Sequence, residues 1–148
     1  MKLSKKGEYA LQAMTELAES YGSGPRQIKS ISAAAGIPVK FLEQILLELK
    51  KADLLRSRRG AKGGYSLAAD PSGISLADII IVTEGNISPI ECVTPSAVER
   101  CPDETCCGIR SVMREVGKAV EEILSKTSLE DLAARSKNCR QKKLMYHI

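Results

Sequence analysis

The sequence predicts a mainly α-helical fold with a small β-hairpin wing: a winged helix-turn-helix followed by one long helix. Three observations predict it. Apolar residues recur at helical spacing along much of the 148-residue chain. A short helical pattern, a glycine and a second helical pattern stand in tandem over residues 29–52. Directly after them, two short strand-like runs enclose a basic, glycine-rich tip. Aromatic residues make up only 3% of the chain and Trp is absent, so the core must be built from Leu, Ile, Val and Ala. That composition favours closely packed helices over a large sheet.

The elements follow in order. Residues 6–21 place Tyr9, Ala10, Ala13, Met14, Leu17, Ala18 and Tyr21 on one helical face, and Gly22-Ser23-Gly24-Pro25 ends the pattern. A short helix over 29–35 is closed by Gly36. Pro38 opens a longer helix reaching Ala52, with Phe41, Leu42, Ile45, Leu46 and Leu49 as the expected buried face. Leu54 to Arg58 and Tyr65 to Leu67 read as paired strands around Arg59-Gly60-Ala61-Lys62-Gly63-Gly64. After the turn Asp70-Pro71-Ser72-Gly73, Ser75 and Asp78 form a capping-box pattern for a helix over 76–83, which Gly85-Asn86 breaks. Residues 91–107 contain Pro95 and Pro102 and show no periodicity, so they read as a loop.

From 109 to 126 the pattern is strongly helical. Its stripe of Ile109, Val112, Met113, Val116, Ala119, Val120, Ile123 and Leu124 is spaced like a helix–helix seam. Such a helix predicts a dimer through Val112, Met113, Val116, Val120, Ile123 and Leu124. Packing against the chain's own first helix is the alternative, and a helix with two sides to bury can do both. A short helix over 129–134 and a loose basic tail over 137–148 complete the chain. The expected organisation is a winged-helix domain at 1–84, a cysteine-containing loop at 85–108, the dimerisation helix and short final helix at 109–136, and the tail.

Charge divides the chain. Residues 1–67 hold twelve Lys/Arg against six Asp/Glu, whereas residues 68–148 hold ten against twelve. The positive field therefore belongs to the front half, and a basic front half suits a polyanionic partner. In a winged helix the second helix of the pair enters the major groove. Its outward residues Lys40, Glu43, Gln44 and Leu47 stand where base edges would lie, and Gln, Glu and Lys each have a matching base or phosphate partner. The wing cations Arg56, Arg58, Arg59 and Lys62 are expected on phosphate or in the minor groove, with Arg26 and Gln27 adding phosphate contacts. A solvated surface is the alternative for the helix face. The same alternative carries less weight at the wing tip, because four cations around a glycine hairpin have no obvious packing role.

The N-terminus leads directly into a helical pattern with no apolar signal region, and no apolar run is long enough to span a bilayer. The protein is therefore expected to be cytoplasmic, without a membrane partner. There the five cysteines are not expected to pair as structural disulfides, and the clustering of four of them at 92, 101, 106 and 107 points to metal or redox chemistry. Structural zinc favours close Cys-x-x-Cys pairs, and none exists here. The wider spacing of Cys92, Cys101 and Cys107 suits an iron–sulfur cluster, with zinc or bare thiols as alternatives. Cys106, next to Cys107, is the spare; Cys139 reads as a free thiol and His147 as part of the tail. No phosphate-binding glycine loop and no nucleophile with a plausible base are present, so an enzyme is not expected.

Three stretches resemble the Rrf2 family of bacterial winged-helix transcription regulators: residues 6–14 (KGEYALQAM), residues 41–46 (FLEQIL) and residues 59–67 (RGAKGGYSL). The resemblance extends over nearly the whole chain. It implies a homodimer that binds a palindromic operator in double-stranded DNA, acting as a repressor. It also implies an iron–sulfur cluster, 2Fe-2S or 4Fe-4S, held by three cysteines in the loop before the long helix. The segment from Cys101 to Arg110 matches the family's Cys-x5-Cys run into that helix, with Cys107 as ligand and Cys92 as the first ligand. A His close after the third cysteine, present in some relatives, is missing. Glu8 occupies the place of an acidic fourth ligand supplied by the partner subunit. Other relatives imply a cluster-free regulator governed by thiol oxidation or by a partner enzyme of cysteine metabolism. A zinc-binding protein-interaction module is the reading outside transcription.

Overall fold

The structure, a computed structural model, describes residues 3–94 and 107–146. Among the described residues, six α-helices and one antiparallel hairpin follow in the order α1 (Lys5–Glu19), α2 (Ile28–Ala35), α3 (Val39–Lys51), β1 (Leu55–Arg58), β2 (Gly64–Leu67), α4 (Leu76–Glu84), α5 (Gly108–Lys126) and α6 (Leu129–Tyr146). Among the described residues no single helix is long and apolar enough to cross a membrane.

The core forms where α1, α2, α3 and α4 meet. Met14, Ile31, Leu42, Ile45, Leu46, Leu49 and Ile79 are completely shielded from solvent there. Burying each such side chain contributes roughly 1.5–3 kcal/mol. Leu129, from the first turn of α6, enters the same cluster. One expectation fails at its edge: Phe41 is 42% exposed and stacks edge-to-face on Tyr9, with ring centroids 5.5 Å apart. The apolar stripe of α3 is four residues wide, and Phe41 sits one position beyond the arc that Leu42, Ile45, Leu46 and Leu49 fill.

Local chemistry sets several of the boundaries. Ser4 caps α1 by accepting from the Gly7 N–H, and Ser4 itself donates to the Glu84 carboxylate at the end of α4. Gly36 ends α2 in the left-handed conformation, which a side chain rarely adopts, and the chain direction turns 112° into α3. That angle lies in the helix-turn-helix range. Ser75 and Asp78 form the expected capping box on α4. Ser128 and Asp131 repeat it on α6, where the Asp131 carboxylate accepts from both the Ser128 hydroxyl and the Ser128 N–H.

A backbone clasp fixes the base of α5. Leu76 N–H donates to Thr127 O at 3.0 Å and Leu129 N–H to Ile74 O at 2.8 Å. The end of α5 is thus tied to the start of α4. Val120 and Leu124 pack on Ala77, Ile80 and Ile87, whereas Ile109, Val112, Val116 and Ile123 are 42–69% exposed.

The tail departs from expectation. Residues 137–146 continue α6 as helix instead of leaving it at residue 134. Arg140 provides the physical reason, since it bonds both Glu16 and Glu19 on α1 and anchors a segment that has few apolar residues of its own.

Candidate nucleic-acid interface and cysteine loop

On α3, Lys40, Glu43, Gln44 and Leu47 are all exposed on the face opposite the core. Their spacing of three and four residues sets them in one row along the helix. The sequence therefore located the outward face correctly, with half-exposed Leu47 adding an apolar surface of the kind that meets a thymine methyl group.

The wing is built with the register Leu55↔Leu67, Arg56↔Ser66, Ser57↔Tyr65 and Arg58↔Gly64. Leu55 and Leu67 are buried at its root, while Arg56, Arg58, Arg59 and Lys62 are exposed. Strand alternation puts Arg56 and Arg58 on one face. Among the described residues none of these four cations has an ion-pair partner.

Gly63 and Gly64 make room for the chain's own backbone. A Cβ on Gly64 would lie 2.2 Å from Arg26 O, and one on Gly63 would lie 2.2 Å from Arg58 O. Arg26, expected as a phosphate contact, is engaged within the chain. Its N–H and C=O exchange 2.8 Å hydrogen bonds with Tyr65, so it acts as a one-residue third strand. Its guanidinium reaches Glu16 Oε2 at 3.3 Å, Glu16 O at 3.2 Å and the Ser30 hydroxyl at 2.9 Å. Gln27 likewise holds the wing tip, donating from Nε2 to Ala61 O at 3.1 Å. Both residues position the wing from behind, a role that their place in the sequence did not reveal.

The cysteine loop is described at its two ends. Cys92 is exposed in a short 3-10 turn, Glu91–Val93, that packs against α5. Cys107 is half-buried at the N-cap of α5. Cys101 and Cys106 lie outside the described residues, as does His147. Among the described residues no three His, Cys, Asp or Glu side chains converge as a metal would require. The donor chemistry still fits a thiophilic group: two thiols border the loop, both at α5, and a third stands between them in the sequence. Within one chain Glu8 is not grouped with them. It lies in the first turn of α1, ion-paired to Lys5, and that hydrogen-bonded carboxylate holds the Lys5 ammonium above its ordinary pKa of 10.5.

A cleft of about 500 Å³ separates the loop from α5, lined by Ile81, Ile87, Val93, Arg114 and Lys118 among others. Gly117 forms the seat of this contact, since a Cβ there would stand 3.1 Å from Pro89 Cδ.

The wing, the helix-turn-helix and the long helix after a cysteine loop coincide with one known family. Its model, described as "Rrf2: Iron-dependent Transcriptional regulator", matches residues 3–135. The chain belongs to the Rrf2 family. It is 38% identical to the HTH-type transcriptional regulator CymR of Bacillus subtilis over 148 residues, all of both chains. With the IscR regulator of Photorhabdus laumondii it shares 33% identity over 132 residues, 89% of this chain and 79% of the relative. The solved structure of B. subtilis CymR, described there as the global cysteine regulator, superposes with a TM-score of 0.77 at 40% identity and covers 91% of this chain and 98% of that one. This member of the Rrf2 family is thus a DNA-binding transcriptional regulator, and its relatives are regulators and not enzymes.

Proposed function

We propose that this Rrf2 protein is a homodimeric repressor whose affinity for a palindromic DNA operator is set by an iron–sulfur cluster on Cys92, Cys101 and Cys107. The observation that carries the reading is the attachment of α5. Its C-terminal end is clasped to Ile74 and Leu76 of the winged-helix body, while its N-terminal end opens at Cys107, with the Cys92 turn packed beside it. A change at the thiols acts on a rigid helix whose far end is bonded to the DNA-binding unit.

In the proposed dimer, the exposed Val112, Val116 and Ile123 cover their counterparts across a twofold axis, with half-buried Met113 beside them. Val120 and Leu124 serve the intrachain contact as well. Lys40, Glu43 and Gln44 read base edges, and Arg56, Arg58, Arg59 and Lys62 meet the backbone or minor groove. When bound, the cluster supplies sensitivity to oxidants and to iron supply, as either 2Fe-2S or 4Fe-4S. Glu8 of the other subunit is the proposed fourth donor, and it must first exchange its Lys5 partner.

The full-length match to CymR favours a second reading, in which the same cysteines act as thiols or a partner enzyme of cysteine metabolism controls the dimer. One experiment separates the two. Protein purified without oxygen is measured for visible absorbance, iron and acid-labile sulfide. Colour with matching iron and sulfide, lost in Cys101→Ala, supports the cluster. A colourless protein that takes up no iron on reconstitution, yet still binds DNA, supports the thiol reading. For the wing, Arg59→Ala is expected to weaken DNA binding and reduce the salt slope by about one unit. An unchanged slope removes Arg59 from the phosphate contacts.

A further inference from the structure

Glu16 of α1 is 12% exposed and sits between two arginines that come from distant parts of the chain. Its Oε2 accepts from Arg26 Nη1 at 3.3 Å and its Oε1 from Arg140 Nη2 at 3.3 Å. Arg140 also reaches Glu19 Oε2 at 3.0 Å. Glu19 is 14% exposed, and its other oxygen is buried without a hydrogen-bond partner among the described residues. On one side, then, Glu16 holds Arg26, whose backbone is the third strand of the wing and whose carbonyl lies against Gly64. On the other side it holds the C-terminal half of α6.

We propose that Glu16 is a positioning residue for DNA binding: a single carboxylate seats the root of the wing and docks α6 against the same point. The inference deepens the assignment of the wing as a DNA contact and rests on it. Arg26 adds a one-residue third strand to a hairpin that would be marginally stable in isolation, beside the buried Leu55 and Leu67 at its root. The guanidinium fixed on Glu16, its carbonyl and Ser30 ties that strand to α1 and α2. Arg140 in turn neutralises two carboxylates three residues apart on α1, which would otherwise repel each other. The wing root and α6 are therefore electrostatically linked: loss of Arg140 leaves Glu16 with Arg26 alone and takes from Glu19 its ion-pair partner among the described residues.

The sign of the effect on DNA binding makes the test decisive. Glu16→Gln removes a negative charge from a DNA-binding unit. If Glu16 were only surface charge, binding to a polyanion would tighten. As a positioning residue, its loss weakens binding, by about tenfold, and lowers the salt slope as wing contacts are lost. The probe is a labelled mixed-sequence DNA duplex titrated with the full chain by fluorescence anisotropy at several salt concentrations. Amide exchange without DNA is measured alongside, with faster exchange expected over residues 56–66 and an unchanged α3. Tighter binding with unaltered exchange in the wing overturns the proposal. If the unmodified protein binds no duplex, the DNA assignment of the wing fails instead, while the exchange data still report on the clamp. Should Glu16→Gln not fold, Arg26→Gln opens the same pair from the wing side, and unaltered wing exchange there overturns the proposal equally.

Discussion

Helices α3 and α5 are both amphipathic, yet they end up in opposite situations. The apolar stripe of α3 is completed within the chain, with Leu42, Ile45, Leu46 and Leu49 fully shielded. Helix α5 has no buried residue along its 19-residue length, and four of its large apolar side chains remain 42–69% exposed. An exposed apolar stripe of this width suits a contact surface, the use given to it in the proposed dimer. The contrast separates two outcomes of the same pattern: α3 completes its apolar face and presents a polar one, whereas α5 keeps part of its apolar face uncovered among the described residues. Periodicity alone does not distinguish these outcomes, because it reports that a face must be buried and is silent on what buries it.

Four measurements would break or sharpen that contrast. The largest effect is expected for Leu46→Ala in the completed stripe. A cavity there destabilises the fold by about 2–5 kcal/mol, read as a lower denaturation midpoint. Val116→Asp in the open stripe should abolish self-association, seen by sedimentation, while leaving the monomer's stability within about 0.5 kcal/mol. Unimpaired association would take Val116 out of the interface. Gly64→Ala tests the wing, because its Cβ would collide with Arg26 O. It is expected to cost about 1–3 kcal/mol and to weaken DNA binding more than Gly73→Ala, whose Cβ would meet open space.

The smallest effect concerns pH. Hydrogen bonds from the Ser128 hydroxyl, and then from its N–H, hold the Asp131 carboxyl below its ordinary value of 3.8, and Arg135 lowers it slightly further. A depressed folded-state pKa contributes stability above the unfolded value that is lost as pH falls through the folded one. Asp131→Asn should therefore flatten the acid limb of the stability profile below about pH 4. A limb of unchanged steepness would show that the cap on α6 contributes nothing to folding.

The comparison also shows which parts of the site were legible. The outward row Lys40, Glu43, Gln44 and the wing cations could be read from local pattern, because helix period, strand alternation and glycine turns are short-range properties. The roles of Arg26 and Gln27 could not. Both stand just before a helix, where a cation suits phosphate, and only the fold brings Tyr65 and Ala61 to meet them. Glu16 and Arg140 gave no local signal at all, lying 124 residues apart. The tail read as loose for the same reason. Its composition lacks an apolar stripe, and its anchor is a long-range ion pair.

By itself the sequence determined the helical periods, the caps at Ser75 and Gly36, the wing's charge and the thiol spacing, since each depends on residues within a few positions of one another. Only the tertiary structure decided that Phe41 stays at the edge, that Gly63 and Gly64 accommodate backbone, that α5 is clasped at one end, and that one carboxylate serves both the wing and α6. Those outcomes depend on which surfaces meet in space, and chain-distant charges and backbone edges carry no period by which a sequence could announce them.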